Sequence, residues 1–297
     1  MSTQLDRLRA LVKNLKSEVE SDLQGIKKRT QVISITSGKG GVGKTNFTIN
    51  FGLALVEMGK KVIILDADLG LANIDVVLGI TPSYNLYHVL NEEKELAEII
   101  IEGPEGIKII PGGSGVFELA ELKEWQLERF LLKLTSLEGE YDYLLIDTGA
   151  GLSRSVLNFS LAADEVLVIT TPEPTALTDA YGLIKTLVMQ KYQGKLKLIV
   201  NRALSPEEGR LTANKLKLVV DKFLKDCNLE SMGWILDDKV VSQAVKKQEP
   251  FLLSFPYSKA STNIYSMAAE FTKQNFRLPQ AVGLKNYFHK ILTAFRS

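Results

Sequence analysis

The chain has 297 residues, 45% of them apolar, and a formal net charge of +1. That content fills the core of one large α/β domain or two small ones. The balanced charge excludes a surface coated in basic residues for nucleic acid, while leaving room for a local basic patch.

The opening residues, MSTQLDRLRA, are charged and lack the apolar stretch of a secretory signal. No apolar run approaches the roughly 18 residues of a membrane span, so the expected compartment is the cytoplasm. Residues 1–29 place Leu5, Leu8, Val12, Leu15, Val19 and Ile26 at helical spacing, which predicts an amphipathic helical extension. The basic run Lys27-Lys28-Arg29 ends it.

From Gln31 the chain alternates short apolar, β-branched runs with helical patterns. VISIT (32–36) is followed by SGKGGVGKT (37–45) and then by a helix, NFTINFGLALVEMG, ending at Gly59. Gly38, Gly43, Lys44 and Thr45 complete a Walker A loop in the strand–helix context that the motif requires. Backbone N–H groups of Gly38, Lys39, Gly40, Gly41, Val42, Gly43, Lys44, Thr45 and Asn46 are the candidate phosphate cradle for ATP or ADP. Lys44 would reach the β/γ-phosphates and Thr45 would hold Mg²⁺ through its hydroxyl. Lys39 is an extra lysine. Side chains of such a nest point outward, so its amine serves either solvent or a phosphate held by another subunit.

KVIILD (61–66) ends at Asp66, with Asp68 two residues on, at the carboxyl end of a strand where open α/β sheets bind ligands. A carboxylate there orients Mg²⁺-bound or attacking water; helix capping is the alternative. IKIIP (107–111) is a further strand. YLLID (143–147) has the form of a Walker B strand, with Asp147 as the Mg²⁺ carboxylate, and Gly149 and Gly151 follow in a switch-like loop. EVLVIT (165–170) and LKLIV (196–200) follow; the latter runs into Asn201 and Arg202, an amide and a guanidinium placed to read a base or to form a turn. MGWIL (232–236) precedes Asp238, at a strand end on the expected adenine side. Cys227, the single cysteine, cannot by itself build a disulfide, a metal knuckle or an iron–sulfur site.

Buried runs between helices predict a doubly wound, mainly parallel sheet of about seven or eight strands flanked by helices, a P-loop NTPase occupying residues 30–270. Residues 271–297 form a linker broken at Pro279 and a last helix. There Leu284, Tyr287, Phe288, Ile291, Leu292 and Phe295 share one face, near Lys285, Lys290 and Arg296. That pattern suits an interfacial helix on anionic lipid over residues 283–297, or a helix docked on the body.

KGGVGKT resembles the deviant Walker A motif of the MinD/ParA family, whose signature lysine crosses an ATP-sandwiched dimer interface. The resemblance implies that Lys39 acts in trans on the partner's phosphate in an ATP-bound homodimer, and that Asp68 positions the hydrolytic water. It also implies that Asn201 and Arg202 contact the base. SGKGGVGKTNF, DLGLANIDVVLG, DTGAGLS and TTPEPTALTDAYGLIK resemble more narrowly the FlhG (FleN/YlxH) flagellar ATPases of that family. This implies a slow, dimerisation-dependent ATPase controlling flagellar number or placement. It would cycle on the inner face of the cell membrane and contact flagellar switch or basal-body proteins. TQLDRLR (3–9) is similar to that family's N-terminal activator motif, keeping Gln4, Leu8 and Arg9 and departing at Thr3 and Leu5; the likeness implies stimulation of an FlhF-type GTPase. A MinD-type septum-site or ParA-type partitioning ATPase is the alternative within the same family.

Overall fold

A computed structural model describes residues 29–68, 73–113, 133–225 and 227–273. In chain order the described elements are β1 (Gln31–Ser37), α1 (Lys44–Glu57), β2 (Val62–Ala67), α2 (Ile74–Leu78), α3 (Leu86–Leu90), α4 (Leu96–Ile99), β3 (Ile101–Glu102), β4 (Lys108–Ile110), β5 (Tyr143–Ala150), α5 (Arg154–Ala162), β6 (Glu165–Thr170), α6 (Pro174–Met189), β7 (Lys195–Ala203), α7 (Pro206–Phe223), β8 (Leu229–Leu236), α8 (Lys239–Lys247), α9 (Phe251–Ser254) and α10 (Lys259–Thr272). All seven strands expected from the sequence form. β3 is an addition: two residues pairing antiparallel with β4, too short to leave a pattern of its own.

The strands form one sheet in the order β3-β4-β2-β5-β1-β6-β7-β8, parallel except at β3. β1 lies between β5 and β6; β2, β4 and β3 lie beyond β5 on one side, and β7 and β8 beyond β6 on the other. Crevices at the carboxyl ends of strands beside such a reversal are where doubly wound sheets take ligands.

Alternate residues of each strand feed opposite faces. Val62 and Ile64 of β2 pack under α1 together with Ile33, Ile35 and Leu145. Ile63 and Leu65 face α3 and α4 with Leu144 and Ile146. Val166, Val168, Leu198 and Val200 lie under α6 and α7. α1 is almost wholly buried, with Phe47 and Phe51 stacked at 5.1 Å between ring centroids. Phe271, near the end of α10, meets Phe51 edge-on at 5.5 Å, so the body of the fold continues to Thr272, just past the boundary drawn at residue 270. Asn50, fully buried, donates to the Asn46 carbonyl at 2.7 Å and accepts from Leu252 N at 2.8 Å, tying α1 to α9.

Among the described residues no helix is long and apolar enough to cross a membrane. The helical extension carrying Gln4, Leu8 and Arg9 and the tail 283–297 lie outside the described residues.

Candidate active site

The helix starts show where this fold leaves room for an anion. α5, α7, α8 and α10 each begin at a side-chain cap, from Ser153, Ser205, Asp238 and Ser258. α1 begins at Gly43, with φ 97° and no side-chain cap, and has no acidic residue in its first turn. Its leading N–H groups are therefore free for a ligand, with the helix dipole behind them. Gly43 is required twice over: its φ is left-handed, and a Cβ there would run into the Asn201 amide. Asn201 Nδ2 donates to the Val42 carbonyl at 2.7 Å, bracing the loop from β7, while its Oδ1 accepts from Arg202 N at 2.9 Å.

Lys44 is buried at 8% exposure, within electrostatic reach of Asp147. Lys39 goes the other way. Its amine leaves the loop and meets Glu173 Oε2 at 2.9 Å and Thr175 Oγ1 at 3.0 Å, both at the start of α6. The outward course expected for this side chain is observed, on cis partners that the sequence reading missed. A negatively charged residue between β6 and α6 was the available signal.

Asp147 ends the apolar run of β5 at 1% exposure. It accepts from Thr45 Oγ at 2.7 Å and from Thr48 Oγ at 3.0 Å. Thr48 was not singled out from sequence, yet it lies one helical turn from Thr45 and so shares its face. Burial pushes the Asp147 carboxyl up to about 6 against the opposing effect of these hydroxyls and Lys44. A buried carboxylate and an adjacent hydroxyl are hard oxygen donors that fit Mg²⁺, which takes one or two protein ligands alongside substrate phosphates. Among the described residues no cluster of three or more His, Cys, Asp or Glu offers an all-protein metal cage. Thr45 and Asp147 would hold the ion, which would supply positive charge for the phosphate oxygens.

Asp66 is the register partner of Asp147 across β2 and β5. Its oxygens accept from the backbone N–H groups of Asp68, Asn73 and Ile74, at 3.1 to 3.2 Å. The structure thus pairs Thr45 with Asp147, and spends Asp66, read from sequence as a metal ligand, on shaping the loop after β2. Desolvation first, then the Asp147 charge, pushes Asp66 up to about 8. Asp68 faces the other switch loop, since a Cβ at Gly149 would lie 3.4 Å from its carboxylate. Gly151 N donates to the Ser37 carbonyl at 2.9 Å, fastening that loop to the end of β1. Asp68, Gly149 and Asp147 therefore converge beside the phosphate loop.

On the base side, Gly43, Asn46, Asn201, Arg202 and Asp238 line a cleft of about 650 Å³ with Phe47, Ile235 and Val241. That volume and mixed lining suit a nucleobase. Arg202 adopts φ 57°, a left-handed conformation within β7 where its register with β8 shifts between Val200 and Ala203. Asp238 is on the cleft wall, but its carboxylate oxygens accept from Val240 N at 3.2 Å and Lys259 N at 3.1 Å, starting α8 and α10. Capping thus accounts for this aspartate without a ligand.

An AAA domain family model matches residues 30–200. The chain is 43% identical over 238 residues to the antiactivator FleN of Pseudomonas aeruginosa, covering 80% of this chain and 85% of that protein. It is 34% identical over 298 residues to the flagellum site-determining protein YlxH of Helicobacter pylori, covering 98% and 99%. The septum site-determining protein MinD of Pyrococcus horikoshii, solved with Mg-ADP, superposes with TM-score 0.65 at 28% identity, over 82% of this chain and 96% of that one.

The raised carboxyl of Asp66 gives a signed pH dependence. The folded chain keeps its proton up to about pH 8, whereas the unfolded carboxyl loses it near 3.8. Its contribution to stability is complete below the lower value and is lost as pH rises through the upper one. Without nucleotide or Mg²⁺, the thermal midpoint is expected to fall between pH 6 and pH 8.5, and Asp66→Asn to flatten that slope. A midpoint that climbs over the same interval contradicts the assignment.

Proposed function

From the premise that this chain belongs to the FlhG (FleN/YlxH) group of MinD-like P-loop ATPases, we propose that it is a dimerising switch that sets flagellar number or placement. The chain is an ATPase that works on ATP with Mg²⁺. The observation that carries the switch reading is the division of labour between two lysines. Lys44 is buried beside its own Asp147, and Lys39 reaches out of the loop to the surface.

An outward amine on a phosphate loop is placed to neutralise a phosphate held by a second copy of the chain, as a residue supplied in trans does in other NTPases. In this reading each subunit binds Mg·ATP on its own Lys44, Thr45 and Asp147, and the two loops face each other. Asp68 orients the attacking water, and hydrolysis loosens the loops after β2 and β5 so that the dimer parts. The base lies in the cleft beside Asn201 and Arg202.

Membrane attachment and GTPase contact rest on segments outside the described residues. The aromatic, lysine-flanked tail 283–297 supports peripheral attachment to the anionic inner face of the membrane. Two tails in one dimer bind by avidity where one binds weakly. Gln4, Leu8 and Arg9 support contact with an FlhF-type GTPase, a Gln on an amphipathic helix being able to order water in another protein's site. An exposed apolar face of α7, with Leu211, Leu218, Val219 and Phe223, supports docking of flagellar switch or basal-body proteins.

Lys39→Ala is expected to abolish ATP-dependent dimers in sedimentation while nucleotide still binds; persistent dimers would show that the amine does not act in trans. Deleting residues 283–297 should remove ATP-dependent co-sedimentation with anionic liposomes, and unchanged co-sedimentation would exclude the tail as anchor. Gln4→Ala should lower stimulation of an FlhF-type GTPase; full stimulation would return that helix to a packing role.

A further inference from the structure

Lys39 is held by one element. Glu173 occupies the position before the first turn of α6, with Pro174 and Thr175 following, and its carboxylate makes no cap bond to the helix. It is turned instead to the Lys39 amine at 2.9 Å, and the Thr175 hydroxyl completes the contact at 3.0 Å. The adjacent Gly38 sits directly on the backbone of the same helix, so close that a Cβ at this position would overlap the Asp179 carbonyl. The backbone and the side chain of the loop are therefore both fixed to α6. Lys39, then Arg202, keep the Glu173 carboxyl below its usual range.

A lysine amine holds a full set of donors, but its stem places it in one direction at a time. While Glu173 and Thr175 hold it along α6, it is not extended toward a second molecule. We infer that Glu173 and Thr175 form a latch that parks Lys39 on its own subunit, and that opening this latch sets the ATP and protein concentration at which the dimer forms. The inference rests on the trans role proposed above for Lys39 and adds the competitor for its charge.

The magnitude fits a threshold rather than a lock. The Lys39 and Glu173 side chains are 39% and 60% exposed, and ion pairs that exposed are weak and screened by salt. Removing the pair should strengthen association about two- to fivefold for each protomer, and two protomers open for every dimer formed. A phosphate bearing more than one negative charge, in a site from which water is excluded, outcompetes such a pair once the second subunit arrives.

The test uses the full chain and two readouts. In nucleotide-free protein, the rate at which acetic anhydride acylates Lys39 is followed by peptide mass spectrometry. At saturating Mg·ATP, sedimentation gives the dimer association constant. Glu173→Gln should raise both, with monomer affinity for ADP unchanged, and Thr175→Ala should raise both by less. The gain from Glu173→Gln should shrink at high salt. If acylation rises but association is unchanged or weaker, the contact exists but does not govern the dimer, and the inference is overturned. If acylation does not rise in either variant, there is no latch. If Lys39→Ala dimerises like the parent chain, the trans reading itself fails and the latch loses its purpose, whatever the acylation rates.

Discussion

Asp147 is a carboxylate sealed beneath the phosphate loop with two hydroxyls as its hydrogen-bond partners, and the rest of the site is arranged around it. Burying that charge is costly unless it is paired. Here Lys44 offsets part of the cost from nearby, while burial holds the Asp147 carboxyl above its usual range. Thr45 and Asp147 would hold a Mg²⁺ whose positive charge would offset the remaining cost, which would couple ligand binding to the electrostatic balance of the folded chain. Asp66, one strand away and linked to Asp147 through their charges, holds the backbone after β2 through three N–H groups.

The same economy shows in the helix starts. Five helices, α3, α5, α7, α8 and α10, close their first turns with a capping side chain, whereas α1 begins at a left-handed glycine that offers none. Asn201 supports the loop from below, Ser37 Oγ donates to the Lys39 carbonyl at 2.8 Å, and Gly38 rests on α6. The loop is braced on three sides before any phosphate arrives, which is the preorganisation that charge stabilisation needs.

Much of this was legible in the sequence because it is local. The strands of a parallel sheet are continuous apolar runs, and the loop motif fixes its residues by spacing. Asp147 followed from being the first charge after YLLI. What the sequence could not separate were aspartates at strand ends, where a metal ligand and a backbone cap have the same residue type and the same neighbours. Asp66 and Asp238 both lie where ligands bind, and both spend their oxygens on backbone N–H groups. Glu173 was equally hidden: its partner is more than a hundred positions away, and only the parallel pairing of β1 with β6 brings the loops at their carboxyl ends together. β3 was missed because two residues carry no period.

Two lysines of one loop, facing opposite ways, are the centre of the proposed switch, in which one would serve its own nucleotide and the other a neighbour's. The most direct measurement mixes two inactive chains. Lys39→Ala keeps Asp68, and Asp68→Ala keeps Lys39, so in a mixed dimer the site on the first chain receives its missing amine from the second. ATP hydrolysis should appear on mixing, at a level neither variant shows alone. Mixtures that stay as inactive as their components would contradict a lysine acting across the interface and return Lys39 to its own subunit.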